Sequence, residues 1–284
     1  MDITLGINAY GVRRELIRSG DRSILEKLKD CGADAFEPML CPVSAESDNS
    51  EKWMWSVERA SKSRKICDGL GLAVSSAQIM LGFGSEMISS DEAADYVHAF
   101  YEASGIETYI IIGLPDDRKE AARLGMYYSE LKDKTSDLPV KIMYHNHDAE
   151  FYALGDTDDC LAIDVIMENA GKGFLLEYDI GWAAFAGDEI HIAESLKDSI
   201  AVLHCKDFFP EIKEYENRFG LPESIFSPIG DGIVKTREVI DMALKGVFPN
   251  WNGLIVIDQD DSAGDVFADT VRGFDNLRDM SGRR

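Results

Sequence analysis

A single (β/α)8 barrel is the fold class that this 284-residue sequence predicts, on three observations. Short apolar, β-branched runs recur along the whole chain, most of them near-continuous rather than alternating, and segments of helical periodicity separate them. Near-continuous runs are expected where both faces of a parallel strand are covered. Strand–helix alternation sustained over a chain near the usual barrel length of about 250 residues predicts closure into a barrel. The 45% hydrophobic content suffices for one large core. No Pro/Gly/Ser-rich linker divides the chain, so residues 1–284 are read as one domain. A doubly wound open sheet would usually place a glycine-rich phosphate loop after its first strand, and NAYGVRRE (8–15) is not one.

The eight predicted strands follow in order. ITLGINAY (3–10) opens the barrel, and RSILEKLKDCG (22–32) sets Ile24, Leu25 and Leu28 on one helical stripe that ends at Gly32. DAFEPML (34–40) and LAVSSAQIM (72–80) are the second and third strands. SSDEAADYVHAFYEASG (89–105) opens with Ser and acids and ends at Gly, as a helix should. TYIIIGL (108–114), VKIMYHNH (140–147), FLLEYDI (174–180) and AVLHCKDF (201–208) continue the series. The helix KTREVIDMALKG (235–246) leads to the last strand, GLIVIDQD (253–260). Two connections are long: CPVSAESDNSEKW (41–53) and 208–232, which carries Phe208, Phe209, Tyr215, Phe219 and Phe226. In a barrel both lie on the catalytic face, and the aromatic one is expected to act as a lid or an interface.

Composition excludes several functions. With 52 acids against 29 bases the formal net charge is −23, a surface that repels nucleic acid and anionic membranes. No apolar run approaches the roughly 18 residues of a spanning helix. The start, MDITLGINAYGVRRE, lacks the basic and apolar regions of a signal peptide. Five scattered cysteines without CxxC pairs suit free thiols in a reducing cytoplasm. A cytoplasmic enzyme of small molecules is expected, and a homo-oligomer is compatible with the sequence.

Polar groups gather where the predicted strands end. The fifth strand ends His145, Asn146, His147, with Glu150 beyond; the sixth carries Glu177 and Asp179. The seventh ends at His204, then Lys206 and Asp207, and the eighth at Asp258, Gln259 and Asp260. Buried imidazoles and carboxylates are expensive unless paired or bound to a cation, and barrel strand ends converge. Such a mixed set suits Mn²⁺, Mg²⁺, Co²⁺ or Zn²⁺. A lone histidine at a strand end is more often a core residue, Asp179 alone could cap a helix, and Lys206 could simply pair with Asp207. Coincidence of position at four consecutive strand ends favours a site. His98 and His191 fall on predicted helices and are read as structural.

These residues resemble the xylose isomerase-like TIM-barrel proteins, a group of sugar phosphate isomerases and epimerases. YHNHDAEF is similar to their YHNHxFEF stretch, GINAYGVR to their opening strand, EYDIGWAAFAG to their DxGW turn and VLHCKDF to their HxKD strand. PIGDGIVKTREVI and LIVIDQDDS resemble two later segments, so the likeness spans nearly the whole chain in order. It implies a divalent metal, Mn²⁺ foremost, held by Glu150 (or His147 in its place), Asp179, His204 and the acid of the eighth strand. Asp258 stands where the family has Glu, a shorter reach that leaves Gln259 or Asp260 as alternatives. Endonuclease IV shares the fold, but its three zinc ions need more histidines than the five present here.

The chemistry implied is proton transfer next to a carbonyl on a sugar or polyol, with the metal as Lewis acid for an enediolate. His145 and His147 alternate to one side of their strand and are acid/base candidates, Glu177 is a second base candidate, and Lys206 could bind a substrate oxyanion or phosphate. Epimerisation, isomerisation and loss of water share this first step. A lyase of the same fold, either inosose dehydratase-like or a C-glycoside-cleaving subunit, is therefore the alternative enzyme. A sugar-binding barrel without catalysis is the alternative outside enzymes.

Overall fold

The computed structural model describes residues 2–42, 52–82, 86–154 and 160–283. The predicted loop 41–53 falls largely on 43–51, which lie outside the described residues. Nine parallel strand segments form one sheet: β1 (Thr4–Asn8), β2 (Ala35–Glu37), β3 (Met39–Leu40), β4 (Ala77–Ile79), β5 (Thr108–Ile112), β6 (Lys141–His145), β7 (Leu176–Asp179), β8 (Ile200–Cys205) and β9 (Leu254–Ile257). Their spatial order is β2-β1-β9-β8-β7-β6-β5-β4-β3. The two outermost segments are halves of one stave, separated only by Pro38, so the ladder closes on itself. Proline has no N–H to donate, yet its carbonyl still accepts from Gln78 N at 3.0 Å. Eight staves result, each overlapping a strand predicted from sequence; β8 alone starts one residue early, at Ile200. A (β/α)8 barrel is thus the architecture.

Helices α1 (Arg13–Asp30), α2 (Val57–Leu70), α3 (Ser90–Ser104), α4 (Arg118–Lys134), α5 (Ala162–Ala170), α6 (Ile180–Ala186), α7 (Glu189–Ser195), α8 (Thr236–Leu244) and α9 (Val266–Ser281) alternate with the strands. The expected caps form on α3, where Ser89 Oγ accepts from Glu92 N at 3.2 Å and Gly105 takes a left-handed φ of 65°. Two helical regions differ from expectation. α1 starts nine residues before the predicted 22–32, because Gly20 (φ 73°) bends the chain and permits a polar leading turn. After β7 the connection is two short helices, α6 and α7, rather than one.

Alternation along the staves decides what faces the barrel interior. Gly6, Ala35, Ile110, Met143, Val202 and Val256 share the inward phase, and the last five pack as a small apolar cluster. Two residues further along the same staves stand Asn8, Glu37, Ile112, His145, His204 and Asp258. The interior therefore changes from apolar to polar towards the C-terminal ends of the strands. The opposite phase, including Leu5, Phe36, Tyr109, Ile111, Tyr144, Leu203 and Ile255, belongs to the larger core under the helices.

Candidate metal centre and active site

His145, Asp179, His204 and Asp258 are all buried, and each offers a ligand atom within 4.8 Å of the others. His145 Nε2 lies 4.0 Å from Asp179 Oδ2, and His204 Nδ1 3.4 Å from Asp258 Oδ2. Asp179 does two things at once. Its Oδ1 caps α6 by accepting from Trp182 N at 2.7 Å, while Oδ2 faces the other three residues and makes no hydrogen bond. Asn146 fixes the β6–β7 exits to each other: its Oδ1 accepts from Asp179 N (3.0 Å) and its Nδ2 donates to Asp179 O (3.2 Å). α6 crosses so near β8 that a Cβ at Gly181 would sit 2.5 Å from Lys206 Cβ and 2.7 Å from its carbonyl oxygen. That explains the glycine of the DIGW turn.

One layer deeper, a carboxylate lies between the two imidazoles. His145 Nδ1 is 2.9 Å from Glu177 Oε2, which also accepts from Gln78 Nε2 at 2.9 Å. His204 Nε2 is 2.9 Å from Glu37 Oε1 and 3.0 Å from Glu177 Oε1. Glu37 in turn accepts from Asn8 Nδ2 at 2.8 Å and from Ser76 Oγ. Carboxylates behind both rings hold protons on His145 Nδ1 and His204 Nε2. The opposite nitrogens, His145 Nε2 and His204 Nδ1, face the carboxylates of Asp179 and Asp258 and would exchange their protons for a bound cation. Carboxylate–histidine pairs of this kind orient metal ligands. The uncompensated His204 Nδ1 and Asp179 Oδ2 are the buried atoms a cation would satisfy, so the residues fit a divalent ion.

The electrostatics follow from burial and these contacts. Burial pushes the Asp179 carboxyl up to about 6, against the pull of Lys206. Burial alone would lower both imidazoles, but Glu177 (joined by Glu37 for His204) outweighs it and raises both. Asp258 goes well below the carboxylate range: its burial is overcome by the ammonium of Lys206 and by His204. Glu37 is raised by burial and by its neighbour Glu177, whose own value is held low, despite burial, by His204 and His145.

Glu150 does not join the cluster. A short 3-10 turn (Ala149–Phe151) folds it back, where Oε1 accepts from Tyr144 OH at 2.6 Å and Oε2 from His147 N at 2.9 Å. Tyr144 belongs to the helix-facing phase of β6, so Glu150 sits outside the barrel wall; burial raises it to about 7. His145 occupies the position at the fifth stave's end instead. Lys206 does not pair with Asp207. Its Nζ lies 2.7 Å from Asp260 Oδ1, 3.0 Å from Asp258 Oδ2 and 3.6 Å from Asp179 Oδ2, with the residue 1% exposed. Asp207 instead accepts from Phe208, Gly230, Gly232 and Val234 backbone N–H groups and shapes the long aromatic loop. His98 sits on α3 beside Asp137 and His191 on α7, both away from the site.

Above this floor opens a cavity of about 510 Å³. His145, His147, Lys206 and Asp258 line it, with Trp182, Met39, Met80 and Ile112 on its walls and Arg218, Phe219 and Phe226 from the aromatic loop. His147 is half-buried, its ring 5.0 Å from that of His145 and 6.0 Å from the indole of Trp182. Burial, then His145 and Lys206, place its pKa well below the usual imidazole value. Its Nδ1 has no partner. Sequence reasoning missed Glu37 and Gln78, although each is a polar residue in the inward phase of an apolar strand. Arg13 opens α1 ahead of the predicted helical stripe and Arg218 comes from the long aromatic loop, where no periodicity marks them.

The xylose isomerase-like TIM barrel family model matches residues 25–277, and the chain belongs to that family. Among solved structures, a sugar phosphate isomerase/epimerase from Parabacteroides distasonis ATCC 8503 superposes with a TM-score of 0.72 at 15% identity, over 99% of this chain and 95% of that one. The probable 3-DHS dehydratase AsbF of Bacillus anthracis gives 0.67 at 11% identity, over 97% and 98%. The IolI protein, solved with a bound zinc atom, gives 0.65 at 12% identity, over 99% of each chain. These identities establish the fold alone. No curated protein matches the chain in sequence. Among the described residues no helix is long and apolar enough to cross a membrane.

Proposed function

We propose that the chain is a divalent-metal-dependent sugar or polyol isomerase/epimerase that moves a proton on carbon next to a carbonyl. The observation that carries this reading is the buried quartet His145, Asp179, His204 and Asp258, of which His145 and Asp258 reach a cavity that is also lined by the neutral imidazole of His147. Two imidazoles and two carboxylates suit Mn²⁺, Co²⁺ or Zn²⁺, and Mn²⁺ is the first choice for a set half composed of oxygen ligands. A bound cation would polarise the substrate carbonyl and offset the negative charge that develops on its oxygen.

The chain's own residues supply the remainder. His147, uncharged at neutral pH and lining the cavity, accepts the proton from carbon and returns it, an effect worth about 10²–10⁴-fold. Lys206, fixed by Asp258 and Asp260, lies 4.7 Å above the Trp182 ring, where its ammonium donates towards a substrate oxygen. Trp182 and the aliphatic wall pack against the carbon face of the sugar and exclude water. Glu177, buried behind both rings, is a positioning residue rather than the base. A dehydratase would use the same proton abstraction, followed by departure of a β-hydroxyl; the fold of AsbF is compatible with that second reading.

The test is hydrogen exchange. Mn²⁺-loaded protein incubated with a panel of ketoses and inososes in D₂O should place deuterium next to a carbonyl, seen by NMR. His147→Gln should abolish the exchange while metal remains bound. Exchange that persists in His147→Gln would remove His147 from the mechanism, and no exchange with any member would count against proton transfer.

A further inference from the structure

Among the described residues, the arginines and the lysine that line the pocket are all engaged by carboxylates, and we infer that its substrate is an uncharged sugar or polyol rather than a sugar phosphate. This rests on the reading of the cavity as a sugar site. Arg13 lines the cavity, but its guanidinium is held 3.0 Å from Asp261 Oδ2 and donates to the Asp260 carbonyl at 2.6 Å. Arg218 also lines it and is paired with the buried Asp148. Lys206 is shared among Asp258, Asp260 and Asp179. These three lining cations are thus outnumbered by the five carboxylates they pair with.

A divalent ion on the floor would offset part of this excess, and an uncharged substrate adds nothing to it. A phosphate dianion would increase the excess in a partly desolvated space, where like charges cost most. It would also have to break an existing ion pair to obtain a counter-charge.

Location points the same way. Barrels of this architecture frequently seat a phosphate between the loops that follow the seventh and eighth staves. Here those staves are β8 and β9, and the β9 exit presents Asp258, Asp260 and Asp261. The remaining walls are built from Trp182, Met39, Met80 and Ile112, which suit the carbon skeleton of a polyol.

The experiment pairs each ketose with its own phosphate: D-fructose with D-fructose 6-phosphate, and D-tagatose with D-tagatose 6-phosphate. Binding to the full chain loaded with Mn²⁺ is measured by calorimetry, with bound metal quantified separately. The unphosphorylated member should bind at least tenfold more tightly in each pair. Asp148→Asn, which releases the charge of Arg218, should narrow the gap at least threefold. Equal or tighter binding of the phosphates by the native chain would overturn the inference while leaving the sugar site intact. Failure of all four sugars to bind a chain that holds its metal would overturn the sugar-site reading itself, and the inference with it.

Discussion

Replacing Glu177 by Gln probes the layer beneath the candidate metal ligands without changing side-chain size. The carboxylate presents Oε2 to His145 Nδ1 and Gln78 Nε2, both at 2.9 Å, and Oε1 to His204 Nε2 at 3.0 Å. An amide can accept at one end only. Its oxygen will take the side with two donors, which turns its NH₂ towards His204 Nε2. That nitrogen carries its own proton between Glu37 and Glu177, so two donors meet at 3.0 Å. His204 must rotate or move its proton to Nδ1, the nitrogen that faces Asp258. Loss of one charge-assisted hydrogen bond is worth about 1.5–3 kcal/mol, which corresponds to roughly 10–100-fold in affinity, the range typical of partners behind metal ligands. The assay is Mn²⁺ or Zn²⁺ affinity by competition with a chelating dye, with circular dichroism to verify the fold. A folded Glu177→Gln protein that binds metal within twofold of the native chain would refute the reasoning.

Three further outcomes follow from other contacts. Asp258→Ala should lower metal affinity at least tenfold, because it removes a quartet member, whereas Asp260→Ala should leave affinity within threefold; the reverse result in the dye competition would transfer the ligand role to Asp260. Gly181→Ala should destabilise the protein by about 1–3 kcal/mol in urea unfolding, since its Cβ has no room against β8; an unchanged midpoint would disprove the close approach. Glu150 is raised by burial from 4.5 to about 7, so between those values the folded chain keeps a proton that the unfolded chain has lost. Stability from this group is present below pH 4.5 and lost as pH rises through 7, by up to about 3 kcal/mol. Glu150→Gln should remove that slope relative to the native chain in urea melts at pH 5 and pH 8, and parallel profiles would show the carboxyl to be ordinary.

Much of this arrangement was legible in the sequence because a barrel turns strand position into spatial position. Runs such as TYIIIGL and FLLEYDI mark staves by their continuous apolar character, and the acids and imidazoles at their ends must converge. Asp179 shows the limit of choosing between readings, since its two oxygens serve both, one capping α6 and one facing the quartet. Glu150 misled because spacing along the chain does not report a reversal of direction; the 3-10 turn after β6 returns it to Tyr144 on the helix side. Glu37 was overlooked in DAFEPML because its apolar neighbours mark a buried strand, yet its inward phase matches Asn8 on the adjacent stave, with which it pairs across 2.8 Å. Arg13, at the start of α1, and Arg218, in the irregular aromatic loop, reach the cavity through contacts between distant parts of the chain.

The central claim is that His145, Asp179, His204 and Asp258 together hold one divalent ion. Electron spin echo spectroscopy of the chelator-stripped protein titrated with Mn²⁺ tests it most directly, because it counts the ion and detects imidazole nitrogens bound to it. One Mn²⁺ per chain with modulation from two histidine nitrogens is expected, falling to a single nitrogen in either His145→Ala or His204→Ala. Stoichiometric Mn²⁺ without histidine nitrogen, or no retained Mn²⁺ in a folded chain, would contradict it.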